Sequence, residues 1–416
     1  MRFVIGMLVC IFPINLLGVD LRTFGFYRSY YQRYRSTLFN PGNRSVQFLG
    51  YRTGPDFSFS QYFDFQMDFL SLQWQIDVMG ELERSDQWKD DVKMKQLFFQ
   101  RGLFENWVLV AGRAIQRWGT GYAFNPTDVV APDKELNDPD NSEKRAEGND
   151  MIKLEYFGET YSIAMCYLTK VDFDPKIEVE GSKLAFRFYK NLWDIDLSFI
   201  SLFSRAESPI WGLNSSFVIG DRLEIHGEVS AQKGSYRAYH RTINEANTLY
   251  LKEPFETSRR NDPHIYLQFL LGFQYTLPRN IMWVAEYFHQ DQGYSKREWD
   301  RVMEHVHFLN NQLETPFHEA AEGNLLWSLN VFSTKGAMQD YLMNYLDGPV
   351  HRNVGLRSTW MMNLNDFSAV LIPEINVTIG DHFTFYGRGF FFYGREGTEF
   401  GELFQSYTIE AGLRFR

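Results

Sequence analysis

The feature that most constrains this chain is a period-2 alternation of side-chain type from about residue 40 almost to the C-terminus. About 18 stretches of roughly 8–14 residues place apolar or aromatic side chains on one parity and polar ones on the other. That pattern belongs to a strand lying between two environments. In 72–81, Leu72, Trp74, Ile76 and Val78 alternate with Gln75, Asp77 and Glu81. In 150–157, Ile152, Leu154 and Tyr156 oppose Lys153 and Glu155. In 192–199, Trp193, Ile195, Leu197 and Phe199 oppose Asp194, Asp196 and Ser198. In 92–100 and 106–118 the two parities mix.

A water-soluble β-sandwich also alternates, but two features select a membrane barrel. Phe, Tyr and Trp make up 17% of the chain. They crowd the apolar parity near stretch ends (Trp74, Tyr156, Trp193, Trp211, Trp283, Trp327, Trp360, Phe415), as interfacial girdles do. The connections also alternate in length. Short ones fall at 158–159, 190–191, 220–221, 277–280 and 380–381, long ones at 119–148, 171–180, 233–262, 291–321 and 394–404. Short turns at one end and long loops at the other are the asymmetry of outer-membrane barrels.

The sequence therefore predicts an all-β fold, a transmembrane antiparallel β-barrel of about 18 strands (range 16–20), with both chain ends at the short-turn end. Residues 44–416 form the barrel. Residues 20–43 form an extra strand or a periplasmic segment. Residues 1–19 read as a signal peptide, with Arg2, an apolar run from Phe3 to Leu17, and Gly18. Residues 334–349 fit poorly, as a long connection at the short-turn end.

The net charge of −10 argues against nucleic acid as a partner. Mean hydropathy is −0.35, and no uncharged apolar run long enough for a spanning helix follows the N-terminus, so a helical membrane protein is excluded. Nothing points to an enzyme. There is no Gly-x-Ser-x-Gly and no His-Glu-x-x-His. His226 and Ser230 share a parity four residues apart, roughly 13 Å along a strand and too far for proton transfer. His305 and His307 make a weak metal pair, and Cys166 packs on an inner parity. No cofactor and no metal are expected.

Three stretches carry a resemblance. Tyr407, Ile409, Leu413 and Phe415 alternate with Thr408, Glu410 and Arg414, which resembles the terminal strand of bacterial outer-membrane proteins, although Arg416 follows the aromatic residue. Gly112 to Gly119 (GRAIQRWG), running on to Asn125-Pro126-Thr127-Asp128, resembles a strand-and-loop segment of porin-like and alginate-export-like barrels. Glu399-Phe400-Gly401 resembles the same group. The resemblance implies a bacterial outer-membrane location and delivery by the barrel-assembly machinery through the C-terminal strand.

A barrel of about 18 strands is too wide to fill with side chains, so its lumen is open or narrowed by loops. The inner parity carries both signs of charge: Asp77, Glu155, Asp194, Asp196, Glu224, Glu228, Glu374 and Glu410 against Lys183, Arg187, Arg388 and Arg414. Arg113 and Arg117 share a parity and are expected on one wall of a constriction, facing Asp133 and Glu135 of the loop 119–148. The loop 233–262, with Arg237, His240, Arg241, Arg259 and Arg260 among tyrosines, offers a surface for an anionic sugar or lipopolysaccharide phosphate. Val302, His305, Val306, Leu309 and Leu313 have helical spacing within 291–321. The expected function is a channel for small hydrophilic solutes set among outer-membrane lipids and lipopolysaccharide. Export of an acidic polysaccharide, and a closed structural or adhesive barrel acting through its loops, remain as alternatives.

Overall fold

A computed structural model describes residues 19–41, 54–69, 72–84, 88–131, 147–169, 182–205, 207–235, 237, 239–240, 255–256, 262–333 and 336–415. For 19–28, 54–69, 72–84, 88–93, 255–256 and 415 the backbone alone is described. Of the expected signal segment 1–19, residues 1–18 lie outside the described residues, and Val19 begins a strand.

The first eleven strands are β1 (Val19–Tyr34), β2 (Gly54–Phe69), β3 (Leu72–Arg84), β4 (Trp88–Phe104), β5 (Trp107–Ala114), β6 (Asn149–Phe157), β7 (Tyr161–Leu168), β8 (Lys183–Leu192), β9 (Ile195–Ser204), β10 (Ile210–Ile219) and β11 (Leu223–Lys233). A two-residue pair, β12 (Tyr239–His240) and β13 (Phe255–Glu256), forms a small ribbon in the next loop. Then come β14 (Ile265–Leu277), β15 (Ile281–Gln290), helices α1 (Lys296–Gln312) and α2 (His318–Ser328), β16 (Asp340–His351), β17 (Val354–Asn363), β18 (Ala369–Ile379), β19 (Phe383–Tyr393) and β20 (Gln405–Phe415).

Eighteen of these strands make one antiparallel sheet in chain order. β1 pairs with β2 on one side and with β20 on the other, so the sheet closes on itself and, among the described residues, every one of its strands has a neighbour on both sides. Every long loop leaves one end of the ring. Turns of two or three residues, such as Trp193-Asp194 and Gly220-Asp221-Arg222, join the other end, where β1 begins and β20 ends.

Burial shows which face is which. In β7, Ser162, Ala164, Cys166 and Leu168 are buried, while Ile163, Met165 and Tyr167 are 47%, 43% and 44% exposed. Large apolar side chains this open, recurring on the same face of strand after strand, form the lipid-facing band of a membrane barrel. Aromatic pairs reinforce that band, among them Trp107–Tyr156 at 5.1 Å and Phe273–Trp283 at 4.8 Å between ring centroids.

Several sequence expectations are corrected. Residues 334–349 are not a connection at the short-turn end, because β16 begins at Asp340 and the loop above it runs on through α2. Trp327 sits on α2, not in a girdle. The turn expected at 190–191 falls at 193–194 instead. Trp193 and Asp194 both take left-handed backbone angles (φ 53° and 64°), the conformation of a two-residue hairpin turn. Trp193 is therefore a turn tip, 85% exposed. Asp194 is likewise an exposed turn residue and not a lumen wall residue.

Two apolar clusters lie inside the ring. One surrounds Trp118 and Val130 against the inner faces of β5 to β9. The other joins Phe124, α1, α2 and the inner faces of β14 to β19.

Candidate functional site

The segment 115–131 leaves β5 at the long-loop end and turns back into the barrel. Gly112 has φ +127°, and a Cβ there would collide with the Leu97 carbonyl of β4, so only glycine serves at this close approach. Arg117 Nη1 lies 3.2 Å from Asp128 Oδ2, and the Trp118 amide donates to Asp128 Oδ1 at 2.8 Å. These contacts tie the two ends of the loop together. Trp118 is buried beside Val110 and Met151.

Beyond Trp118 the loop reaches the far wall. Glu228, on the inner face of β11, accepts the amides of Thr120, Gly121 (2.8 Å) and Thr127 (2.9 Å), and the Thr127 hydroxyl (2.8 Å). Glu286 on β15 accepts the amides of Tyr122 and Ala123 (3.0 Å) and sits 3.1 Å from His226 Nε2. Phe124 stacks on Phe288 of β15 at 4.3 Å, and Tyr122 meets Tyr345 of β16 at 4.4 Å. β15 is eight strands round the ring of 18 from β5, so the loop crosses close to a diameter. Both glutamates are at most 4% exposed. Hydrogen bonds to a charged acceptor are each worth about 1.5–3 kcal/mol, so the two carboxylates act as clasps that hold a polar backbone across the lumen.

The inner wall from β16 to β20 carries a row of charges in direct register: Asp347, Arg357, Glu374, Arg388 and Glu410 stand opposite one another on successive strands. The signs alternate along the row. Arg357 lies 3.4 Å from Asp347 and 3.7 Å from Glu374, Arg414 lies 3.1 Å from Glu374, and Arg388 lies 2.9 Å from Glu410. On the opposite side Lys153 pairs with Glu155 at 2.8 Å, and Arg187 Nε donates to Ser198 Oγ at 3.3 Å. The Tyr189 hydroxyl donates to Asp196, and Lys183 lies 3.6 Å from Glu207. Glu224 shares the inner parity of His226 and Glu228, nearer the short-turn end. The wall is thus polar, with both signs of charge side by side.

At the long-loop end four loops meet in a cap. The α1 face of Trp299, Val302, His305, Val306 and Leu309 is buried; Val302, His305, Val306 and Leu309 belong to the predicted helical spacing, whose last member, Leu313, is the helix C-cap and only half-buried. Asn310 donates to the Leu38 carbonyl at 2.6 Å, and Trp299 Nε1 to the Gly397 carbonyl at 2.8 Å. Glu402 accepts the Leu38 and Gly397 amides, and burial raises its carboxyl above the usual range. Glu399, also buried, has its carboxyl pushed up to about 7 by desolvation. Burial also holds the His305 imidazole down at about 3.

Arg113 and Arg117 do not share a wall. Arg113 stands opposite Asp150 on the outward parity of β5 and β6, with its Nε 2.9 Å from Asp150 Oδ1. Arg117 lies past the end of β5, inside the barrel, held by Asp128. The strand ends at Ala114, so parity no longer relates the two. Asp133 and Glu135 lie outside the described residues, as do Arg241, Arg259 and Arg260, and the Asp77 side chain is not described. Arg237 and His240 are buried and serve the cap. Arg237 donates to the Gln292 and Ala337 carbonyls, and His240 Nε2 lies 2.8 Å from Ser328 Oγ. Alternation placed Glu228 inside but gave no sign that it holds a loop, and Glu286 was only one inner acid among many.

The fold and the loop-crossed lumen define a transmembrane β-barrel of porin-like architecture. Solved structures share it. OccAB1 of Acinetobacter baumannii aligns over 95% of this chain and 96% of its own, with a TM-score of 0.57 at 7% identity. OccK11 (OpdR) of Pseudomonas aeruginosa covers 95% of each chain with a TM-score of 0.56 at 10% identity. The outer membrane protein OprD of Pseudomonas aeruginosa covers 95% and 92%, with a TM-score of 0.51 at 10% identity. No family model and no curated relative matches the sequence.

Proposed function

We propose that this protein is a bacterial outer-membrane channel that passes small hydrophilic solutes through a lumen narrowed by residues 115–131. The observation that carries the reading is the double clasp of Glu228 and Glu286 on that loop. A barrel closed for purely structural reasons has no need to hold polar backbone across its interior with two buried carboxylates. Lining the remaining space with close pairs of opposite charge keeps the electrostatic barrier low for polar permeants of either sign. Arginines paired with acids on the wall but left partly exposed, Arg357 and Arg414, supply donors to a passing solute without a large net field.

In this reading the exposed apolar band contacts outer-membrane lipids, the long loops meet lipopolysaccharide, and β20 presents the strand read by the barrel-assembly machinery. The likeness to OprD, an outer membrane protein, supports the location. Swelling of liposomes that contain the refolded protein, challenged with sugars and amino acids of increasing size, tests the proposal. Swelling that falls off with solute size is expected. A folded barrel that leaves liposomes as tight as protein-free ones would overturn it.

A further inference from the structure

The outer cap and the crossing loop meet at one side chain. Tyr341 is fully buried on the inner face of β16. Its ring packs against Phe124 of the crossing loop, 5.9 Å between centroids. Its hydroxyl donates to the Glu399 carboxylate of the β19–β20 loop, 2.9 and 2.7 Å from the two oxygens. The same carboxylate accepts the Ala337 amide from the β15–β16 loop at 2.6 Å and the Asn363 side-chain amide at the end of β17 at 2.6 Å. The Glu399 amide in turn donates to Asp366 of the β17–β18 loop. Through its carboxylate and its amide this one residue gathers three outer loops and, through Tyr341, touches the loop that crosses the lumen.

We propose that Glu399 is a positioning residue for the crossing loop, acting through Tyr341 and Phe124, so that the protonation state of the outer cap sets how firmly the constriction is held. This rests on the reading of residues 115–131 as a constriction. Among the described residues no cation forms an ion pair with Glu399. The charged and titratable groups around it are Tyr341 on β16, Asp366 in the β17–β18 loop, Arg237, which bonds the Ala337 carbonyl, and Glu396 and Glu402 in its own loop. The carboxylate has hydrogen-bond donors but no paired cation, and its loss of hydration on burial outweighs those donors, so its ionised form is disfavoured in the closed cap.

The sign follows from linkage. The closed cap holds the Glu399 proton up to about pH 7, whereas an opened, hydrated cap releases it near the ordinary 4.5. The closed arrangement is therefore fully favoured at low pH and loses ground as pH rises from the ordinary value through about 7. His305 in α1 titrates in the opposite sense at lower pH, and comparison with Glu399→Gln cancels its contribution.

The test is amide hydrogen exchange of 118–128 in the refolded full chain, with single-channel recording on the same preparation. Relative to Glu399→Gln, wild-type protection should fall about tenfold between pH 6 and pH 8. Tyr341→Phe, which keeps the ring on Phe124 and removes the hydroxyl, should leave pH-dependent protection in the β19–β20 loop but abolish it in 118–128. Equal pH profiles for wild type and Glu399→Gln, or a profile in 118–128 that survives in Tyr341→Phe, would overturn the coupling. Exchange reads the coupling without any current, so a channel that never conducts refutes the pore reading and leaves the coupling to be judged on exchange.

Discussion

Arg388 of β19 and Glu410 of β20 stand directly opposite each other on the inner wall, with Nη2 2.9 Å from Oε2 and both side chains at most 5% exposed. Glu410 also accepts the Tyr386 hydroxyl at 2.7 Å. The pair sits one strand from the seam where β20 meets β1. Removing one partner leaves the other charge buried and unpaired, which costs about 3–5 kcal/mol, whereas replacing both with apolar residues of similar volume is close to neutral. Glu410→Ala should therefore lower the urea midpoint of the folded barrel clearly, and Arg388→Met with Glu410→Leu should restore most of it. Equal midpoints for wild type and Glu410→Ala would contradict this reading of the seam.

Glu228→Ala strips the acceptor from three backbone amides of the crossing loop, each left unsatisfied at a cost of about 1–3 kcal/mol. The loop should leave the far wall, giving a larger and noisier single-channel conductance. Limited proteolysis within 115–131 should accelerate in parallel. Glu286→Ala should act in the same direction through the Tyr122 and Ala123 amides. Unchanged conductance in both variants would detach these carboxylates from the aperture.

The lipid-facing assignment makes its own prediction. Met165 lies mid-strand on the exposed apolar face of β7, so Met165→Arg should cost about 2–4 kcal/mol in unfolding from a bilayer. Phe367 is more exposed, 76%, but lies in the β17–β18 loop at the long-loop end. Phe367→Arg should change stability by less than about 0.5 kcal/mol. A reversed order would place the membrane elsewhere on the barrel.

Burial holds the His305 imidazole at about 3, so it is neutral at physiological pH. A group whose folded value is lowered contributes stability above its unfolded value, lost as pH falls through 6.5 towards 3. At pH 5 that loss is about 2 kcal/mol of cap stability. His305→Phe should remove this acid sensitivity, read as the exchange of α1 amides at pH 5 against pH 7. The same pH dependence in wild type and variant would show that His305 is not the group responsible.

Much of this architecture was legible because a membrane barrel writes its two environments into alternate residues. Ile163, Met165 and Tyr167 against Ala164 and Cys166 need no tertiary information to assign a face. Alternation fails where an aromatic residue takes a turn position. Trp193 looks like a girdle residue, yet with Asp194 it adopts the left-handed hairpin turn that sequence rules reserve for Gly, Asn and Asp. Alternation also says nothing once a strand ends. Arg113 and Arg117 look equivalent at a spacing of four, but β5 stops between them, and one residue faces outward while the other enters the lumen. The segment carrying the GRAIQRWG and NPTD motifs was recognisable as special. Its clasp was not, because Glu228 and Glu286 lie more than a hundred residues from the amides they hold.

Single-channel recording in a planar bilayer, comparing refolded wild type with Glu228→Ala, bears most directly on the central claim that a clasped loop narrows an open lumen. Steady openings in the wild type and a larger conductance in the variant are expected. A natively folded wild-type barrel that carries no current, with a variant equally silent, would contradict the claim and leave the molecule a closed barrel.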